Sequence, residues 1–119
     1  MLKRILNLSC YILFTFSFAG SANEKKENEQ NWIRINLLGY PINGTKVAIW
    51  VSKSGQVPVL FEIIEAQTKK VVYASLNIKS FGTYGPFKQT ARINFSGFKG
   101  SGRFYIKADG VLSPVVIIN

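Results

Sequence analysis

The stretch Arg103-Phe104-Tyr105-Ile106-Lys107-Ala108-Asp109-Gly110 decides the fold class of this chain. Phe104 and Ile106 recur with a period of two, which is the pattern of a β-strand that buries one face. The Asp-Gly pair that ends the stretch predicts a turn. The next run, Val111 to Ile118, then predicts a closing strand with Pro114 at an edge or a bulge, because proline cannot donate to the ladder. This part of the chain is therefore predicted to be β-structure.

Upstream, the same signal recurs in five short runs separated by turn residues. The runs are Trp32 to Leu38, Lys46 to Ser52, Pro58 to Ala66, Lys70 to Leu76 and Gln89 to Phe95. The residues predicted to face inward are Ile33, Ile35 and Leu37, then Val47, Ile49 and Val51, then Val59, Phe61 and Ile63, then Ala91, Ile93 and Phe95. The third run is apolar on both faces and predicts a central strand. Seven strands in about 89 residues predict an all-β fold, an immunoglobulin-like β-sandwich without its paired cysteines.

The first 30 of the 119 residues are predicted to lie outside this domain. Lys3 and Arg4 precede an apolar run, Ile5 to Phe18, and the small residues of 19–22 follow it, so residues 1–22 predict a signal peptide cleaved after Ala22, with Ser21 as second choice. An uncleaved anchor is the alternative, but the run is shorter than the ~20 residues that span a bilayer. Lipidation at Cys10 is a weaker alternative. Residues 23–30 are predicted to be a polar spacer and 31–119 the folded domain.

The chemical inventory of the domain excludes most catalytic sets. The chain has no His, its one Cys lies in the leader, and three carboxylates follow residue 30: Glu62, Glu65 and Asp109. Triads that need imidazole, zinc sites and disulfides are thereby excluded, and no cofactor or metal is expected. Glu62 and Glu65 lie three apart on one predicted strand and should face opposite sides. The chain alone is therefore expected to be non-catalytic.

Charge and aromatic content suggest what the domain binds. Eleven Lys and Arg residues face three carboxylates beyond residue 30, a net charge of +8. Because they are spread over most of the predicted strands and turns, we interpret them as solvent-facing residues, with an acidic glycan or surface polymer as the alternative partner. Trp50 and Tyr105 fall on the predicted outward phase of their strands. The candidates for glycan stacking or for domain docking are Trp32, Tyr40, Trp50, Tyr84, Phe87 and Tyr105.

The order of short motifs resembles a known family. The motifs are Ile33-Arg34-Ile35-Asn36-Leu37-Leu38-Gly39-Tyr40, Lys46-Val47-Ala48, Phe61-Glu62-Ile63 with Lys70-Val71-Val72-Tyr73, Tyr84-Gly85-Pro86-Phe87, Phe95-Ser96 with Gly102 and Tyr105-Ile106, and Gly110 with Ser113-Pro114. Over residues 32 to about 118 they resemble the N-terminal immunoglobulin-like domain of family 9 glycoside hydrolases, the bacterial cellulase type. The chain departs from the family in having Leu37 where Gln is usual and Lys69 where Gly is common.

The resemblance implies a function by association. Such domains precede an (α/α)-barrel catalytic domain, whose Asp-Ala-Gly-Asp motif, His and proton-donating Glu have no matching positions here, so no catalytic residue is carried over. We therefore expect a secreted or periplasmic, non-catalytic scaffold that packs against and orients a catalytic domain absent from this chain. The alternatives are a free-standing glycan-binding module and a secreted basic adhesion protein. Polysaccharide is the second expected partner, and neither a nucleic acid partner nor a stable membrane span after signal cleavage is expected.

Overall fold

The computed structural model describes residues 30–119, which form two antiparallel sheets with a shared core. The predicted all-β sandwich is confirmed, whereas the predicted signal peptide and nearly all of the spacer lie outside the described residues. Within those residues there are nine strands: β1 Asn31–Arg34, β2 Val47–Ser52, β3 Phe61–Glu65, β4 Val71–Ser75, β5 Ile78–Ser80, β6 Gln89–Asn94, β7 Gly102–Ala108, β8 Val111–Leu112 and β9 Val116–Ile118.

One sheet has four strands in the order β1-β2-β6-β5, and the other has five, in the order β4-β3-β7-β8 with β9 also paired to β7. Two features raise the predicted seven strands to nine. The single strand predicted from Val111 to Ile118 is divided in two around Pro114, although both halves pair with β7. β5 was missed because three residues are too few to show alternation.

The core lies between the sheets, and four strands contribute residues that were predicted to face it. These confirmed inward residues are Ile33 of β1, Phe61 and Ile63 of β3, Ala91 and Ile93 of β6 with Phe95 just after it, and Phe104 and Ile106 of β7. β3 pairs with both β4 and β7, so its predicted central position is also confirmed. In β6 and β7 one face is markedly more apolar than the other, so the burial of that face follows directly from the alternation.

The predicted phase of β2 is wrong. Ala48 and Trp50 face the core and are fully buried, while Ile49, predicted inward, is 37% exposed. Trp50 lies between Ile33 and Ala91 across the sheet, and its indole N–H donates to the carbonyl of Gln56 at 2.8 Å. The whole indole can therefore be buried without leaving its polar atom unsatisfied. Both faces of β2 are apolar, and the larger side chain occupies the sandwich interior.

Two residues predicted to face inward lie at the surface instead. β1 ends at Arg34, and Leu37 follows in a turn rather than on the strand. Val59 is also exposed, because β3 begins only at Phe61. Alternation continues past both strand ends in the sequence, whereas pairing does not, so the pattern overestimates the strand length.

Candidate functional site

Tyr40 and Trp50 belong to the interior and are not available to a partner. The Tyr40 hydroxyl accepts a hydrogen bond from the Asn36 N–H and donates to the Val47 carbonyl, both at 2.9 Å. Its ring packs edge-on against Phe95 with the ring centroids 5.0 Å apart. Burial raises the pKa of Tyr40, and the hydrogen bond from Asn36 offsets this only in part. The expectation that these two residues contact a glycan or a second domain is therefore wrong: their polar atoms are used inside the fold.

The other four candidates are divided between the two sheets. Trp32, Tyr84 and Phe87 lie on or beside the outer face of the four-stranded sheet. Tyr105 lies in β7 of the other sheet, where the Lys69 ammonium is 5.3 Å from its ring centroid. A glycan-stacking module built on Trp50 and Tyr105 would need both rings exposed in one row. That row does not exist, because one residue is in the core and the other is on the opposite sheet.

An open groove of about 560 Å³, here called the aromatic groove, runs along the outer face of the four-stranded sheet. The loop of residues 81–88 forms one wall and is held to the sheet by hydrogen bonds from the Phe81 N–H to the Thr90 carbonyl and from the Lys88 N–H to the Ser52 carbonyl, both at 2.8 Å. The lining side chains that matter below are Arg34, Ile49, Phe81, Tyr84, Phe87 and Arg92. The aromatic rings of this loop line a concave surface.

Cations occupy several of the aromatic ring faces. The Arg92 guanidinium carbon lies 4.6 Å from the Phe81 ring centroid, and the Lys53 ammonium lies 5.8 Å from that of Trp32. Phe87 meets Trp32 edge-on, with their planes 70° apart. A neutral sugar stacks on a flat, accessible ring face, and these faces are partly covered or tilted. Tyr84 is the open ring here, at 74% exposure.

Charged side chains form a straight row across the same sheet face. The strand register aligns Arg34 with Ile49, Ile49 with Arg92, and Arg92 with Lys79. Cross-strand partners share a face, so Arg34, Arg92 and Lys79 all point outward, and we call these three residues the cationic row. No Asp or Glu occurs in β1, β2, β5, β6 or the 81–88 loop. The positive charge here has no acidic neighbour within its own sheet.

A second exposed feature is an apolar turn at residues 36–39, here called the leucine turn. Leu38 is 94% exposed and Leu37 is 74% exposed. The turn is rigid because the Asn36 side-chain oxygen accepts from the Leu38 N–H at 2.9 Å and the Asn36 carbonyl accepts from the Gly39 N–H at 3.2 Å. Gly39 has φ +108°, and a Cβ there would lie 3.2 Å from the Ile117 carbonyl oxygen. Glycine is therefore required for this close approach.

The leucine turn is fixed to the last strand. The Tyr40 N–H donates to the Ile117 carbonyl at 2.8 Å, and the Asn119 N–H donates to the Tyr40 carbonyl at 3.1 Å. A groove of about 610 Å³ beside the turn is lined by Leu37, Leu112 and other apolar residues. The exposed leucines thus stand next to the carboxyl end of β9.

The three carboxylates do not converge. Glu62 lies opposite Lys107 and Glu65 lies opposite the inward-facing Phe104, so the two face opposite sides as predicted. The Asp109 carboxylate accepts from the Gln56 side chain at 2.7 Å, rather than from nearby backbone as expected of a turn aspartate. Among residues 30–119, no cluster of three or more His, Cys, Asp or Glu is placed to hold a metal ion. In that same part of the chain, no helix is long and apolar enough to cross a membrane.

Lys46 was predicted to face outward, but it is fully buried. Its ammonium donates to the carbonyl of Ile42 and, at 3.3 to 3.4 Å, to those of Pro41, Gly44 and Ser96. Burial lowers the pKa of Lys46 below its ordinary value of 10.5, and the charge of Lys99 lowers it further. One side chain thereby satisfies carbonyls from two loops, which no sequence period could have shown.

Comparison with known proteins gives a family match and several similar folds. The model of a family described as the cellulase N-terminal immunoglobulin-like domain matches residues 28–113. A family 9 glycoside hydrolase from Bacteroides ovatus is 23% identical with a TM-score of 0.61, covering 73% of this chain and 15% of that chain. A metagenome-derived family 9 endoglucanase is 20% identical with a TM-score of 0.61, covering 75% of this chain and 18% of that chain.

A thermostable endoglucanase from Alicyclobacillus acidocaldarius has a similar fold, at 18% identity and a TM-score of 0.56, with coverage of 74% of this chain and 15% of that chain. These likenesses show the fold, and this chain spans less than a fifth of the length of each of the three solved structures. The comparison with curated proteins gave no match.

Proposed function

Since the chain belongs to the family of cellulase N-terminal immunoglobulin-like domains, we propose that it acts as the non-catalytic module of a secreted family 9 glycoside hydrolase. In this role it packs against a catalytic domain, stabilises that domain and orients its cleft during polysaccharide degradation. The similar structures support this role, because they are family 9 enzymes and the matching part is 15% to 18% of their length.

The leucine turn is the observation that carries the proposal. A leucine that is 94% exposed on a rigid turn contributes nothing to the stability of the isolated domain. Burying such a side chain against a partner gains about 1.5 to 3 kcal/mol. The turn stands beside the carboxyl end of β9, so a catalytic domain that follows the last strand would meet Leu37 and Leu38 first. Rigid backbone and exposed apolar side chains together suit a preformed interface.

Export is part of the proposal. Residues 1–22 have the charged start, apolar centre and small cleavage residues of a signal peptide. Release after Ala22 would leave a basic domain outside the cytoplasm, where polysaccharide substrates are found. N-terminal sequencing of the mature protein from its natural host tests this, and a mature chain that keeps Lys3 and Arg4 would contradict it.

The docking test uses the family 9 catalytic domain encoded in the same genome, expressed separately. Adding this protein in excess of the dissociation constant should raise the melting temperature of the catalytic domain, because a ligand that binds only the folded state stabilises it. The double variant Leu37→Ser/Leu38→Ser should remove that rise. The matched control is Val59→Ser/Leu60→Ser, an exposed apolar pair away from the turn.

Two outcomes would contradict the docking role. The first is a melting temperature of the catalytic domain that the unmodified protein does not change. The second is an equal loss of that rise in melting temperature in the leucine and control variants, which would show that nonspecific hydrophobic binding rather than the leucine turn is responsible. A genome that encodes no family 9 catalytic domain would also contradict it.

A further inference from the structure

The cationic row is unfavourable in the isolated domain. Arg92 and Lys79 are direct cross-strand partners, and like charges in that position destabilise a sheet. Both lean on the Phe81 ring, at 4.6 and 5.6 Å from its centroid, which offsets part of this cost. Arg34 extends the row two strands further, beyond Ile49. An anion bound along the row would remove the repulsion.

The other sheet shows the ordinary arrangement. There, Lys107 of β7 is the direct partner of Glu62 of β3, so a cation is opposed by a carboxylate. The whole four-stranded sheet and its 81–88 loop contain no carboxylate to play that part. The positive charges of the cationic row therefore have no opposing carboxylate within their own sheet or its loop.

We propose that the cationic row and the aromatic groove bind a linear polysaccharide that carries carboxylates, a polyuronate. The choice of a polysaccharide among linear polyanions rests on the proposed function, whereas the choice of an anion rests on the row itself. Arginine guanidinium groups bind carboxylates through paired hydrogen bonds, and Arg34 and Arg92 are both exposed for this.

The spacing of the row suits an extended polymer. Adjacent strands lie about 4.8 Å apart, so Arg34 and Arg92 are separated by about 10 Å and Lys79 continues the line by about 5 Å. A linear chain laid across the strands would pass all three charges, with Ile49 beneath it and the Tyr84 ring at the wall of the groove. Because Phe81 and Trp32 carry cations on their rings, recognition depends on charge more than on stacking of neutral sugars.

The binding test is a titration of the purified protein with polygalacturonate in 20 mM salt, followed by isothermal calorimetry. Highly methyl-esterified polygalacturonate has the same backbone without most of its charges and serves as the ligand control. The double variant Arg34→Gln/Arg92→Gln should bind about 100-fold more weakly, at about tenfold for each charge-assisted contact. Arg103→Gln/Lys107→Gln, which removes two exposed charges from the other sheet, should change affinity less than about threefold.

An additional measurement does not depend on any variant. Amide chemical shifts of the unmodified protein should move on titration at Arg34, Ile49 and Arg92, and little in β3 and β7. Binding should also disappear in 0.5 M salt, because salt screens exposed charges.

Several results would overturn the proposal: no binding of polygalacturonate at low salt, equal binding of the methyl ester, or equal losses in the two double variants. Tighter binding of single-stranded DNA or polyphosphate than of polygalacturonate would assign the row to another polyanion. The leucine variants of the docking test leave this row intact, so a failure of the docking role and a failure of anion binding by the row can be told apart.

Discussion

Replacing Tyr40 by phenylalanine should destabilise the domain far more than the same change at Tyr84. Each substitution removes one hydroxyl oxygen and nothing else. The Tyr40 hydroxyl links the Asn36 N–H at the start of the leucine turn to the Val47 carbonyl beyond it, with two bonds of 2.9 Å. Tyr84 is 74% exposed, so its hydroxyl is free to bond water in both the folded and unfolded states.

The expected cost follows from the groups left behind. In the Tyr40→Phe variant one backbone donor and one backbone acceptor lose their partner in a partly buried place, and each such loss costs about 1 to 3 kcal/mol when water cannot replace it. Because Asn36 is exposed, water can reach its N–H in part, and we expect a total of about 2 kcal/mol. For a domain of this size that lowers the melting temperature by roughly 8 to 16 °C. Tyr84→Phe should stay within about 0.5 kcal/mol of the unmodified protein.

Chemical denaturation at pH 7 and at several pH values above 10 measures the loss in free energy of unfolding caused by Tyr40→Phe and how that loss depends on pH. Burial raises the pKa of Tyr40 above its ordinary value of 10.0. Between that value and the raised one, the folded state holds a proton that the unfolded state has lost, so stability falls as pH rises. The stability gap between the unmodified protein and Tyr40→Phe should therefore narrow above pH 10. Equal effects of the two substitutions at pH 7, or a gap that widens in alkali, would refute the assigned role of Tyr40.

Two further substitutions test other contacts, and an activity assay tests the proposed absence of catalysis. Lys46→Met should lower the free energy of unfolding by at least about 2 kcal/mol, because it leaves buried carbonyls without a donor. Burial lowers the pKa of Lys46, so the folded state loses this proton at a lower pH than the unfolded state does. Urea unfolding at pH 7 and 10 should therefore show that the stability advantage of the unmodified protein over this variant grows as pH rises. A shrinking difference would contradict that. Gly39→Ala should lower the free energy of unfolding by about 1 to 3 kcal/mol, as measured by thermal unfolding. Gly82→Ala should cost less, because Gly82 also has a positive φ but a Cβ there would have no atom within 4 Å. Equal losses in the two variants would show that the Ile117 carbonyl does not restrict position 39. The purified chain should release no reducing sugar from carboxymethylcellulose, and measurable release would overturn its non-catalytic assignment.

The sequence predicts the sandwich well where a strand differs clearly between its two faces. Phe104 and Ile106 alternate with polar or charged residues, so their burial follows from the period alone. In β2 both faces are apolar, and the period cannot say which one enters the core. The structure shows why both can be buried: Trp50 fills the interior, while Val51 lines the aromatic groove beside the 81–88 loop. That arrangement depends on a loop some 30 residues away, which local alternation does not contain.

The candidate sites were less predictable for a related reason. Arg34, Lys79 and Arg92 could be expected to face solvent, but their alignment depends on the pairing register of β1, β2, β6 and β5. A shift of one residue in any pairing would turn a side chain to the other face and break the row. The leucine turn has a local signal that was misjudged: Asn36 and Gly39 are turn residues, so Leu37 and Leu38 between them were better assigned to a turn than to a strand.

The two proposed surfaces, the leucine turn and the cationic row, lie next to each other at β1. Arg34 lines the aromatic groove on the outer face and also the groove beside the leucine turn. A catalytic domain that covers Leu37 and Leu38 would therefore border the cationic row, and a polymer bound there would lie along the edge of the interface. Because β1 has only four residues and pairs with β2 alone within its sheet, Arg34 is held by one neighbouring strand. If both proposals hold, contacts that one partner makes at this strand should change the affinity of the domain for the other partner, and docking would then be coupled to polysaccharide binding.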